Sequence, residues 1–432
     1  MDYREALEYL DSRAVYEKTG TITDPSLDGI ARLMSVMGDP QLTYPVIHVT
    51  GTNGKGSTSQ MITRLLMAHG LTVGTYSSPH LEKINERMSY NSEPISDEDF
   101  AEQVGSVADL ELLAGLRPTY FEAVTAAAFR WFSDLAVDVA VVEVGLLGRW
   151  DATNVVDAQV AVVTNVAMDH NEFAGPDKTD IAREKAGIIK AGSAVVLGET
   201  DPELAEIFHA EQAAVVFDRG EDFDCVENNL AVGGRVLDLR TPTTVYTDVF
   251  VPLHGRHQGD NAAVALTAVE AFFAAPVSEE LVLEGFRDVA MPGRFEVLGR
   301  TPLVIVDGAH NPAGADVCAE VFFGDFDPEG RRVLIVGFLR GRDPVQMLSA
   351  LRADEYDAVY CATAPSPRGM PAAEVAAAAR SLGCENVMET ATVTAACERA
   401  LGTLDVDDAV LATGSLYVVG EARPYLLRRR LS

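Results

Sequence analysis

The segment Val49-Thr-Gly51-Thr-Asn-Gly54-Lys55-Gly56-Ser57-Thr58 constrains this chain more than any other. It follows the apolar, β-branched run Pro45-Val-Ile-His-Val-Thr50 and opens a helical pattern that continues to about His69. Strand, glycine-rich turn and helix in that order make a cradle for phosphate. Glycines let successive backbone N–H groups turn inward, and the helix N-terminus adds partial positive charge. Lys55 is then expected to reach the terminal phosphates of a nucleotide, and a following hydroxyl, Ser57 or Thr58, to reach Mg²⁺. The match to the standard phosphate loop is inexact. Val49 stands where a glycine is expected five residues before Gly54, and Gly56 intrudes between Lys55 and Ser57. Turn geometry alone gives no reason for a lysine here, so Thr52, Asn53, Gly54, Lys55, Gly56, Ser57 and Thr58 are read as ATP-binding.

The rest of the chain alternates short β-branched runs with helical patterns, the signature of βαβ units and a mostly parallel sheet. Strands are expected at Thr72–Tyr76, Val137–Val144, Gln159–Thr164 and Ala194–Leu197. Between Val215 and Val251 shorter alternating runs, broken by Asn228-Asn229 and Gly233-Gly234, predict a small antiparallel layer over about 215–253. Helices return at Asp260–Ala274 and Ser278–Val289. A second alternating series then supplies strands at Leu303–Asp307, Arg332–Gly337, Ala358–Ala362 and Ala409–Thr413. The reading is an α/β protein with a phosphate-loop domain over 1–297 and a Rossmann-like α/β domain over 298–432, the boundary falling near Glu296–Thr301.

Charge limits the partners. With 34 basic and 65 acidic side chains in 432 residues the formal charge is −31, which repels nucleic acid and anionic membrane. An anion site on such a chain must be built locally. Only six of the cations are lysines, so Lys55 and Lys185 stand out. Five scattered cysteines without a CxxC pair argue against a zinc site or a disulfide framework. The opening Met1-Asp-Tyr-Arg-Glu is an acidic helical start rather than a signal peptide, and no apolar run reaches the ~18 residues that span a bilayer. A cytoplasmic location is expected.

Several motifs in order carry a resemblance. They are Gly51-Thr-Asn-Gly-Lys-Gly-Ser-Thr58, Tyr76-Ser-Ser-Pro-His-Leu81, Asn85-Glu-Arg87, Pro118-Thr-Tyr-Phe-Glu122, and Val142 through Asn154. Met168-Asp-His170, Ile181 through Lys190, His257-Gln258 with Asn261, Met291-Pro-Gly-Arg-Phe-Glu296 and Asp307-Gly-Ala-His-Asn-Pro312 complete the set. Together they resemble the folylpolyglutamate synthase / dihydrofolate synthase family, relatives of the Mur ligases. The resemblance implies ATP-dependent addition of L-glutamate to dihydropteroate, to a folate, or to both, through an acyl phosphate, by a monomer with a Mur-ligase-like central domain.

It also implies roles for residues. Ser78, Glu143 and His170 resemble the family's Mg²⁺ ligands, an oxygen-rich set that suits this ion. Lys185 matches a lysine that the family carbamylates with CO₂, and Lys55, Lys185 and His170 form the implied catalytic set. Thr119, Tyr120, Phe121, Glu122, Trp150, Asp151 and Ala152 match the region that holds the pteroyl group, where an aromatic face stacks and a carboxylate accepts paired N–H donors. Asn261, Arg294 and Asp307 resemble further ATP contacts. His310, Ser415 and Tyr417 are candidates for the incoming glutamate. Two departures fall in the pteroyl region: Leu147 replaces a glycine, and Trp150 a small aliphatic residue. The alternatives are a Mur-type ligase with another carboxylate acceptor, a non-ligating phosphate-loop ATPase, and a binding protein without catalysis.

Overall fold

Strand β1 (Val46–Thr50) is buried at every position, and so are β5 (Val139–Glu143) and β6 (Val160–Val163), its two neighbours. Val and Ala fill both faces of these strands, as a parallel sheet covered on both sides requires. The remaining strands of this sheet are β2 (Val73–Tyr76), β3 (Met88–Tyr90), β4 (Glu93–Pro94), β7 (Ala194–Leu197) and β8 (Val215–Asp218). Their order is β4-β3-β2-β5-β1-β6-β7-β8, parallel throughout except for β3 and β4, which turn back at the β2 edge. The structure is a computed structural model and describes residues 1–13, 26–169 and 174–430. His170 lies outside the described residues.

One face of this sheet buries Val46, Tyr76, Ala140 and Val142 together with Ala123, Val124, Phe129 and Phe132 of the helix Tyr120–Asp134. The helix Lys55–Ala68 packs on the same strands and carries buried polar residues; Thr63 Oγ1 lies 2.7 Å from Thr75 Oγ1 of β2. This arrangement places the C-terminal ends of β1, β5 and β6 side by side, with Val49 in register with Glu143 on one side and Thr50 with Val163 on the other.

A separate antiparallel sheet consists of β9 (Asp224–Ala231), β10 (Gly234–Arg240) and β11 (Val245–Val251). The antiparallel layer therefore begins at Asp224, not near Val215. Val215–Asp218 pairs in parallel with Ala194–Leu197 and closes the large sheet instead. Short β-branched runs look alike in either sheet, and only the pairing partner separates them.

The chain forms two compact units, Met1–Pro252 with Gln258–Ala290, and Leu253–His257 with Met291–Ser432. The second contains β12 (Glu296–Arg300), β13 (Leu303–Val306), β14 (Arg332–Val336), β15 (Ala358–Ala362), β16 (Val387–Thr390) and β17 (Ala409–Thr413), in the order β12-β13-β17-β14-β15-β16. All pairs are parallel except β12 with β13. The expected boundary at Glu296–Thr301 falls inside this hairpin, where Glu296 pairs with Val306 and Arg300 with Leu303, and the main stretch of the unit starts at Met291. No described helix is long and apolar enough to cross a membrane.

Gly74 on β2 has a steric reason. A Cβ there would sit 2.7 Å from the ring of Phe132. Gly74→Ala is expected to lower stability by about 1–3 kcal/mol, read as a lower urea midpoint with an unchanged slope.

Candidate active site

The loop after β1 is pinned from the end of β6. The Thr52 N–H donates to the Asn165 carbonyl (3.0 Å), and the Asn53 N–H to Asn165 Oδ1 (3.0 Å). In return Thr164 Oγ1 (2.6 Å) and Asn165 Nδ2 (3.0 Å) donate to the Asn53 carbonyl. Thr52 Oγ1 donates to the Ala167 carbonyl and accepts from its N–H. Thr52 and Asn53 thus set the shape of the turn with their own amides. Thr164 and Asn165 carry no motif and were not anticipated; their one signal is a pair of polar side chains ending a buried valine strand.

Gly51 (φ +151°) and Gly54 (φ +83°) take backbone conformations that L residues avoid. Each also lacks room for a side chain: a Cβ on Gly51 would meet Thr164 Oγ1, and one on Gly54 would meet Asn261 Oδ1. Asn261, on the helix His257–Phe273, is therefore brought against the loop, its amide donating to Gln258 Oε1 (3.0 Å). Lys55 begins its helix, and its Nζ donates to the carbonyls of Gly51 (3.1 Å) and Thr52 (3.3 Å). The ammonium thus lies over the turn it follows. Ser57 and Thr58 are buried in the first helical turn, and Thr58 Oγ1 has no hydrogen-bond partner among the described residues.

Glu143, only 5% exposed, ends β5 beside this loop. Its Oε2 accepts from the Ser78 N–H (3.2 Å), so Ser78 and Glu143 come together as expected. Among the described residues no group of three His, Cys, Asp or Glu side chains could hold a metal ion. The described part of the expected set is two oxygen-bearing residues, chemistry that fits Mg²⁺.

Lys185 is 3% exposed on the helix Lys178–Ala186. Burial holds its ammonium well below the usual lysine range; the Lys55 charge adds to that effect, and Asp169 opposes it. Two of the six lysines thus lie within electrostatic reach of one another, on a chain with a large excess of acid.

The expected pteroyl region divides into two parts. Thr119 caps the helix Tyr120–Asp134, and Glu122 completes a reciprocal box: the Glu122 N–H donates to Thr119 Oγ1 (3.2 Å), while Thr119 N–H and Oγ1 donate to Glu122 Oε2 (2.8 and 2.9 Å). These two side chains are engaged in starting the helix. Tyr120 presents its ring 5.4 Å from the buried Arg87 guanidinium. The Phe121 ring covers Gly145, where any Cβ would collide with it, and lies 6.1 Å from the Tyr76 ring.

The other part is the loop after β5. The Leu146 N–H donates to Asp151 Oδ2 (2.8 Å), and Thr153 donates to Asp151 Oδ1 through its N–H (3.0 Å) and Oγ1 (2.5 Å). Burial raises the Asp151 pKa, and these hydrogen bonds oppose the rise. Ala152 is buried, whereas Trp150 is 48% exposed. Leu147 adopts φ +59°, a conformation that glycine takes without strain and leucine does not. The loop rests on the Lys185 helix: the Arg149 N–H donates to the Glu184 carbonyl (2.8 Å), and Asn154 Nδ2 to the Arg149 and Gly187 carbonyls (3.0 Å each).

In the second unit the remaining candidates gather where β13 and β17 end side by side, the kind of place where open α/β sheets bind ligands. Asp307 accepts from the Phe295 N–H (2.8 Å) and the Ala309 N–H (2.9 Å). Burial raises its pKa, and Arg294 opposes that. Arg294 Nη1 donates to the Gly308 carbonyl (3.2 Å), which also accepts from His310 Nδ1 (2.9 Å). Ser415 is buried after β17, its Oγ accepting from the Tyr417 N–H (3.1 Å), and Leu416 packs where a Cβ on Gly308 would stand.

A phosphate loop on one parallel sheet, followed by a second α/β unit, is the plan of an ATP-dependent Mur-type ligase. The Mur ligase middle domain model matches residues 49–269, and the Mur ligase glutamate ligase domain model matches 293–416. The chain is 38% identical to dihydrofolate synthase/folylpolyglutamate synthase of Mycobacterium tuberculosis over 93% of its own length and 90% of that protein. It superposes on the crystal structure of M. tuberculosis folylpolyglutamate synthase complexed with ADP and AMPPCP with a TM-score of 0.89, at 36% identity, covering 98% of this chain and 99% of that one. A bifunctional folylpolyglutamate synthase/dihydrofolate synthase with Mn, AMPPNP and L-glutamate bound gives a TM-score of 0.86 at 30% identity, covering 99% and 98%. The chain belongs to the dihydrofolate synthase/folylpolyglutamate synthase family of ATP-dependent glutamate ligases.

Gly54→Ala combines a left-handed backbone with a collision at Asn261. It is expected to raise KM for ATP by about tenfold or more, with far-ultraviolet circular dichroism unchanged.

Proposed function

We propose that this protein joins L-glutamate to dihydropteroate, to the γ-carboxylate of a reduced folate, or to both, with ATP converted to ADP and phosphate. The observation that carries this reading is the pinned glycine turn, with Lys55 over it and buried Glu143 beside it. A carboxylate is a poor acyl donor because its oxygen is a poor leaving group. Its oxygen therefore first attacks the γ-phosphorus, the bond to the β-phosphate oxygen breaks, and ADP leaves. The glutamate amine then attacks the acyl carbon, phosphate departs, and the amine gives up a proton.

Each residue has a part in that sequence. Lys55 and the amides from Gly54 onward offset the charge of the transferring phosphoryl group. Ser78 and Glu143, with His170 by family resemblance, would hold Mg²⁺, which when bound screens the phosphates. Phe121 and Trp150 offer aromatic faces for the pteroyl ring system, and Asp151 accepts its N–H donors. Thr119 and Glu122 fix the start of the helix that carries Tyr120 and Phe121, and Ala152 lies against the same loop. Asn261, Arg294 and Asp307 bind nucleotide; His310, Ser415 and Tyr417 bind glutamate. The protein works as a cytoplasmic monomer, without nucleic acid or membrane as partner.

Lys185 is carbamylated on this reading. A buried ammonium near Lys55 is disfavoured, which shifts the balance toward the neutral, nucleophilic amine. Its nitrogen attacks CO₂ and loses a proton, leaving an anionic carbamate that the Lys55 charge stabilises.

The test is one assay of purified protein with ATP, Mg²⁺ and labelled glutamate, run against dihydropteroate and tetrahydrofolate in parallel. ADP and phosphate should appear only when acceptor and glutamate are both present. Turnover without either would instead indicate an ATPase. Lys55→Ala should reduce ligation by about a thousandfold, and Glu143→Ala should raise the Mg²⁺ concentration for half-activity by about tenfold or more. Full activity in either variant overturns its assignment. Intact mass in bicarbonate at neutral pH should show one added carbamyl group. Lowering the pH protonates the amine and should remove the group, and Lys185→Gln should never carry it.

A further inference from the structure

His48 is fully buried on β1, where the neighbours Ile47 and Val49 are aliphatic. Its Nε2 lies 2.9 Å from Thr153 Oγ1. The single proton of that hydroxyl goes to Asp151 Oδ1 (2.5 Å), so the imidazole must be the donor in the first contact. The proton therefore sits on Nε2. Nδ1 is left bare, and it has no hydrogen-bond partner among the described residues. Burial, with Lys190 adding to it, pushes the imidazole pKa down to about 3, so the ring is neutral at any working pH.

A buried polar atom without a partner is a cost that valine or leucine at this position would not carry. What the histidine supplies in return is one directed N–H. It points into a line that runs from β1 through Thr153 to the carboxylate of Asp151, whose other oxygen is held by the Leu146 N–H. Thr50, two residues on and on the same face of β1, donates to the Leu147 carbonyl (2.6 Å). One strand face thus grips the loop after β5 at two points. The end of that same strand becomes the phosphate turn.

We propose that His48 is a positioning residue for the pteroyl acceptor: through Thr153 it fixes the orientation of the Asp151 carboxylate. The proposal rests on the reading that Asp151 contacts the acceptor. Without the imidazole N–H, the Thr153 hydroxyl is no longer held as a donor to Asp151, and the carboxylate keeps its backbone N–H donors but loses the side-chain one that fixes its tilt. The phosphate turn, held from β6, is not touched by this change.

The experiment compares His48→Leu, His48→Gln, Asp151→Asn and the double variant His48→Leu/Asp151→Asn, each with dihydropteroate and tetrahydrofolate. His48→Leu should raise KM for the acceptor about tenfold, while KM for ATP stays within about twofold. His48→Gln places an amide N–H near the former Nε2 and should recover most of the loss. The double variant should be no worse than Asp151→Asn alone, because both changes act on one carboxylate. Thermal melts separate this pattern from simple destabilisation, which would lower the active fraction without splitting the two KM values. If Asp151→Asn raises the acceptor KM and His48→Leu does not, or raises both KM values alike, the relay is wrong. If Asp151→Asn leaves the acceptor KM unchanged, the acceptor reading of Asp151 fails and the relay with it.

Discussion

The short exchange of hydrogen bonds between Asn53 and Asn165 holds the chemistry of this protein in place. A run of backbone amides facing one point is unstable by itself, because parallel N–H dipoles repel and glycine loses much conformational freedom when ordered. Here Asn165 accepts from the Thr52 and Asn53 amides, and with Thr164 donates to the Asn53 carbonyl. All of these bonds lie within the chain, so nucleotide binding need not supply them. It depends in turn on the strand order: only with β6 directly beside β1 do these residues reach the loop.

A second constraint is electrostatic. The protein carries 31 more negative than positive formal charges, yet its substrates are anions. The first unit answers with the Lys55 ammonium at the turn. Lys55 lies over the carbonyls of Gly51 and Thr52, and Lys185 is buried within reach of its field. Burial is the main cause of the depressed Lys185 pKa, and the Lys55 charge adds to it. The carbamylation proposed for Lys185 would turn that added repulsion into an attraction. The second unit follows a different pattern, in which Arg294, just before β12, and Asp307, just after β13, lie at the open end of an antiparallel pair of strands.

Most of the first sheet was legible because its strands are short valine-rich runs between turns and helices, and Ala194–Leu197 falls where its pattern predicts. The failures share a cause. Val215–Asp218 has the texture of an antiparallel strand, and Glu296–Arg300 the texture of a linker, because four or five residues carry too little pattern to reveal a partner. The site is mixed. Thr119 and Glu122 are spaced T-x-x-E, the sequence signature of a helix-capping box, so that role was open to a local reading. Thr164 and Asn165 were invisible, since a threonine and an asparagine after a strand are ordinary.

Local chemistry along the chain was enough to establish the phosphate turn, the alternating α/β plan and the family to which they point. Glycine, lysine and β-branched residues act on their immediate neighbours, and that effect can be read in order. Folding alone settled which distant residues meet. Glu143 comes beside the turn because β5 pairs with β1, and His48 reaches Thr153 across a gap of 105 residues. Hydrogen bonds and fields act through space over a few ångströms, and no spacing in a linear chain encodes that distance.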